Sequence, residues 1–78
     1  MTNTEQLRKS IKDSGIKISA IMESLGIKSY TTMREKINDS SEFTAKEIQI
    51  LCSLLNLTTK EREEIFFANN TEFNSVSV

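Results

Sequence analysis

Histidine, proline and tryptophan are missing from the 78 residues, and there are only two glycines and one cysteine. Each scarcity removes a class of protein. Without histidine the chain lacks the commonest general base and metal ligand at neutral pH. A single cysteine, Cys52, makes neither an internal disulfide nor a zinc site. The want of glycine and proline argues against a sandwich or barrel, whose many tight turns need them, and for helices joined by short turns. No apolar run approaches the roughly 20 residues that span a bilayer. The polar stretch Thr2–Gln6 after Met1 is no signal peptide. There is no glycine-rich phosphate loop, and the carboxylates are scattered over solvated helix faces. A lone cysteine among apolar neighbours fits a reducing cytosol. The expectation is one small cytoplasmic all-α domain, not an enzyme, with no cofactor, metal, membrane or small-molecule substrate.

What charge there is lies unevenly. Residues 1–38 hold seven cations against four carboxylates, a net of +3, whereas residues 39–78 hold three against seven, a net of −4. Halves of opposite sign suggest one face turned to an anionic partner and one turned away, although so few charges also arise by chance.

Hydrophobic spacing predicts five helices. Leu7 and Ile11, four apart, share one face of a first helix over Thr4–Ser14, with Thr2, Asn3 and Thr4 all acceptable caps and Gly15 at its end. Ile18, Ile21, Met22 and Leu25 form one stripe of a second, from Lys17 or Ile18 to Leu25, ended by Gly26. A short third helix runs over Tyr30–Asn38 with Met33 and Ile37 inward. Ser29 is its cap, although Thr32 with Glu35 also has capping-box spacing. After a polar loop over Asp39–Glu42, Thr44 with Glu47 forms a capping box, and Phe43 stands where it can staple onto Ile48. This fourth helix, to Leu55, is apolar over more than one stripe and is expected to be the central buried one, with Cys52 a core residue. Thr58 with Glu61 opens a fifth, over Thr59–Ala68, whose Phe66–Phe67 pair closes the core or forms a dimer interface. Residues 69–78 read as a flexible tail, with an exchanged dimer arm as the alternative.

Two helices separated by a glycine turn, after one helix and before two more, is the layout of a helix-turn-helix domain. Stepping about 100° per residue from Met33 puts Ile37 on the same side and Thr31, Glu35 and Asn38 on the opposite one, with Arg34 and Thr32 on the flanks. Such a hydroxyl-rich helix with one arginine and one carboxylate can touch guanine, cytosine and thymine-methyl groups in a major groove. The plainer reading is a solvated surface helix.

The run GIKISAIMESLGIKSYTTMREKINDSSEFTAKEIQILCSLLNL, Gly15–Leu57, resembles the Xre/Cro-type helix-turn-helix family, and within it the small Cro-like regulators of Gram-positive phages and prophages. The phrases KIN, SEFTAKEI, LLNLT and EIFF are its specific part, and the likeness covers about residues 5–68. The resemblance implies a compact five-helix, lambda-repressor-like domain over residues 1–68 that regulates transcription by binding double-stranded operator DNA, commonly as a homodimer, in the cytoplasm of a bacterial host. Ile21, Leu25, Gly26 and Ile27 match the motif, and Lys28–Lys36 fill the turn and recognition helix. Two positions depart from it. Met22 stands where the family prefers alanine, and Met33 and Ile37 fall one place late, which implies an extra residue in the turn around Ser29 and Tyr30. The expected base-reading residues are Ser29, Tyr30, Thr31, Thr32, Arg34 and Glu35. Lys17, Ser19, Lys28 and Lys36 are expected at phosphates. The rival is a protein–protein module on the same fold, such as an antitoxin subunit or an antirepressor.

Overall fold

Asn3 opens the first helix. Its side-chain oxygen accepts the Gln6 N–H at 3.2 Å, covering one of the amides that a helix start leaves without a partner. The computed structural model describes residues 1–67, and five helices follow one another: α1 (Thr4–Ser14), α2 (Ile18–Leu25), α3 (Tyr30–Ile37), α4 (Ala45–Leu54) and α5 (Thr59–Phe66). Among the described residues there is no strand, and no helix is long and apolar enough to cross a membrane. Three helices stop sooner than their spacing predicts: α3 at Ile37, α4 at Leu54 and α5 at Phe66. Ala68 and the tail assigned to residues 69–78 lie outside the described residues.

The other starts obey the same chemistry. The Ser29 hydroxyl accepts the Thr32 N–H at 3.3 Å, so Ser29 caps α3 and the Thr32–Glu35 spacing falls inside the helix. Thr44 and Thr58 complete full capping boxes: each hydroxyl accepts the N–H of the glutamate three residues on at 3.1 Å, and each glutamate accepts the threonine N–H at 2.9 Å. The ends of α2, α3 and α4 also share a pattern. Gly26, Asp39 and Asn56 adopt left-handed backbone, with φ of 74°, 65° and 53°. The next residue's N–H then donates to a carbonyl five back, Ile27 to Met22, Ser40 to Glu35 and Leu57 to Cys52, at 2.8–3.0 Å. This loop satisfies carbonyls that the helix ends leave open.

Each helix sends one fully buried side chain to a common centre: Leu7, Ile21, Met33, Leu51 and Ile65 are all 0% exposed. Ile37, Phe43, Leu55 and Phe66 close around them. At about 1.5–3 kcal/mol for each large apolar side chain buried, each of these residues matters to so small a domain. Helix α2 packs on α4, and α1 packs on both α3 and α5. Phe43 meets Phe66 edge to face, with centroids 5.8 Å apart. It therefore ties the α3–α4 loop to α5, while Ile48 joins the same cluster from the side. The fourth helix is not the buried centre its composition suggests. Only Leu51 within it is buried, and Ile48, Ile50, Cys52 and Leu54 are half-buried; its main packing partner is α2. Burial still raises the Cys52 thiol above its ordinary 9.0, with the Arg62 charge opposing it. Phe66 belongs to the core, whereas half-buried Phe67 faces Arg62, whose guanidinium lies 5.7 Å from the ring centre.

Candidate nucleic-acid interface

The C-terminal end of α3 is clasped and its N-terminal end is not. On one side the Thr4 hydroxyl donates to the Ile37 carbonyl at 2.7 Å, Arg8 Nη2 donates to Asn38 Oδ1 at 2.6 Å, and the Thr2 N–H donates to Asp39 Oδ1 at 2.9 Å. The start of α1 is itself held to α5 by the Asn3 N–H, which donates to the Ile65 carbonyl at 2.6 Å. On the other side Lys36 Nζ reaches Glu47 Oε1 at 2.8 Å and the Glu42 carbonyl at 3.3 Å. Met33 and Ile37 pin the inner face. The opening turn of α3 has no such ties. Ser29, Tyr30 and Thr31 are exposed, and Tyr30, at 61%, is one of two large apolar side chains so exposed among the described residues.

Most of the expected contact residues stand on this free side. Lys17, Ser19, Lys28, Arg34 and Glu35 are exposed, and Thr32 is half-buried. Ser19 and Lys28 border one depression of about 430 Å³ beside Gly26 and Met22, so the α2 start and the turn after α2 form a continuous surface. The Ser29 hydroxyl is committed as an acceptor to its cap, which leaves its proton free to donate. The turn spans Gly26–Ser29 and α3 begins at Tyr30. Ile27 leaves the turn to pack against the core.

Lys36 is the exception. Its side chain is 14% exposed, paired with Glu47 and 5.9 Å from the Phe43 ring centre. A lysine so enclosed already has its anion and is withdrawn from the phosphate set. Burial by itself would raise the Glu47 carboxyl. The Lys36 hydrogen bond, the Thr44 N–H, the Lys36 charge and the Thr44 hydroxyl outweigh it and hold the group below its ordinary 4.5. The pair is a strut between α3 and α4.

Two residues that the sequence reading passed over join the surface. Arg8 and Lys12 of α1 line a groove of about 450 Å³ together with Tyr30, Arg34 and the apolar side chains Ile11, Ile18 and Ile37. No carboxylate lines it. Arg8 and Lys12 are four apart and so stack on one face of α1. That spacing was legible, but which helix the face looks toward depends on the packing of α1 on α3. Compared with protein-family models, with curated proteins and with solved structures, the chain finds no match.

Proposed function

We propose that the chain is a sequence-specific DNA-binding regulator that presents the start of α3 to a major groove, with α2 and α3 acting as a helix-turn-helix pair. One observation carries this reading: α3 is fixed at its C-terminal end and inner face while its N-terminal turn stands free and polar. Recognition helices of this motif touch base edges with their N-terminal residues. A helix that must hold a register against a duplex needs its far end immobilised.

Charge supports the same reading. Five exposed cations with no ion pair among the described residues flank the helix pair: Lys17 at the start of α2, Lys28 just before α3, Arg34 in the last turn of α3, and Arg8 and Lys12 across the groove that α3 shares with α1. A chain whose net charge is only −1 thus still offers several unpaired cations to an anionic partner beside α2 and α3. The rival protein–protein module calls for an exposed apolar patch at this place. Among the described residues Tyr30 is the only large apolar side chain exposed there, Ile11, Ile18 and Ile37 in the adjoining groove being half-buried or buried, and its hydroxyl suits a polar groove as well. Thr31, Thr32, Tyr30, Arg34 and Glu35 are the proposed base-reading set, with Lys17, Ser19 and Lys28 on the backbone.

Iterative selection of duplexes from a random-sequence pool tests the proposal. The expected result is enrichment of a short common sequence, with affinity for it falling well over tenfold between about 50 and 200 mM salt. A pool that stays random through successive rounds refutes it.

A further inference from the structure

The cations of α1 are sorted. Lys9 is tied to Asp13 on its own helix at 3.0 Å, and both side chains are well exposed. Arg8 and Lys12 face the groove shared with Tyr30 and Arg34, where no carboxylate answers them. Arg8 is also aimed. One of its terminal nitrogens donates to Asn38 Oδ1 at 2.6 Å, which leaves the rest of its donor fork unoccupied. The Lys12 side chain makes no hydrogen bond or ion pair among the described residues and lies one turn further along, about 6 Å up the axis.

We infer that Arg8 and Lys12 form a second phosphate clamp, on α1, which holds the DNA backbone flanking the sequence that α3 reads. The inference rests on the proposed DNA binding and extends its footprint to a helix outside the helix-turn-helix pair. The groove supplies the reason for the division of labour. Arg34 and Tyr30 form its α3 wall and reach the bases. Arg8 and Lys12 form its α1 wall and reach the sugar–phosphate chain beside them. Contacts of the second kind carry no sequence information, so their loss weakens every duplex alike.

The test uses the full chain and two probes: the duplex recovered by selection with the unaltered protein, and a scrambled duplex of the same length. Replacing both residues, Arg8→Gln with Lys12→Gln, is expected to raise Kd roughly tenfold or more on both duplexes by the same factor. The slope of log affinity against log salt should become shallower by about 1.8, or 0.9 for each lost phosphate contact. Lys12→Gln alone breaks no hydrogen bond or ion pair among the described residues, and so keeps the test valid if the double variant is poorly folded. Its slope should change by about 0.9. Lys9→Gln removes the same charge from the same helix and should change Kd by no more than about twofold, because its partner is already Asp13. A double variant that binds like the unaltered protein overturns the clamp, as does a Lys9→Gln variant that loses as much as Lys12→Gln. If the unaltered protein selects and binds no duplex, the DNA-binding reading fails first and takes the clamp with it.

Discussion

Lys36 and Glu47 stand eleven positions apart in the chain and 2.8 Å apart in space. The spacing of the third helix gives Lys36 the look of a basic residue at the end of a recognition helix. The α3–α4 loop instead swings Glu47 against it, and Phe43 seals the other side. Lys36→Ala should therefore lower the free energy of unfolding by about 1–3 kcal/mol in chemical denaturation and leave the salt dependence of DNA binding unchanged. The pair also sets a pH dependence. The folded-state pKa of Glu47 is depressed, so its contribution is present above the unfolded value near 4.5 and is lost as pH falls through the folded value. Glu47→Gln never has that contribution. The stability gap between the unaltered protein and Glu47→Gln should therefore narrow between about pH 6 and pH 3. A gap that stays constant over that range would place the value of the strut in packing and not in charge.

At the scale of the helix, starts are legible in the sequence and ends are only half so. Ser29, Thr44 and Thr58 cap their helices through hydrogen bonds to residues three positions on. Such local chemistry survives in a linear reading. Gly15 and Gly26 announce their ends because glycine enters left-handed backbone without cost. Asp39 and Asn56 do the same work with a side chain in place, and nothing near them in sequence separates that role from an ordinary polar turn. The backbone account makes opposite forecasts for two substitutions. A methyl group at Gly26 would meet nothing within 4 Å, so Gly26→Ala should cost about 1–2 kcal/mol from conformation alone. Asn56→Gly should leave stability unchanged or raise it by a few tenths of a kcal/mol to about 1 kcal/mol. Thermal melts of the two variants decide it. Ser29→Ala should cost about 0.5–2 kcal/mol, and because the cap defines where α3 begins, it should weaken DNA binding more than its stability loss implies.

The whole molecule gathers one fully buried side chain from each of five helices; spacing puts Leu7, Ile21 and Met33 on inward faces, but it does not single out Leu51 or Ile65 within the wider apolar sets of α4 and α5. Which helices touch was not visible, and the candidate site depends on it. Spacing puts Tyr30 and Arg34 on a surface, but that Arg8 and Lys12 line the same groove follows only from the packing of α1 on α3. Composition likewise favours α4 as the centre, since Ile50, Cys52 and Leu54 look like core residues in a list, yet each is only half-buried. The clasp at the far end of α3, by Thr4, Arg8 and Lys36, likewise joins distant segments. Taken together, these contacts hold the C-terminal end of α3 and leave its opening turn untied, and the proposal is that this untied end reads DNA. The most direct test of that claim compares Arg34→Ala with Lys28→Ala on the selected duplex and on its scrambled counterpart. Arg34→Ala should cost about 1–3 kcal/mol on the selected duplex, relax its preference at one or two base pairs, and scarcely affect the scrambled one. Lys28→Ala should weaken both alike and reduce the salt slope by about one. Equal losses on both duplexes for Arg34→Ala would contradict the account, since they would make Arg34 a backbone contact and leave α3 without its main reader of sequence.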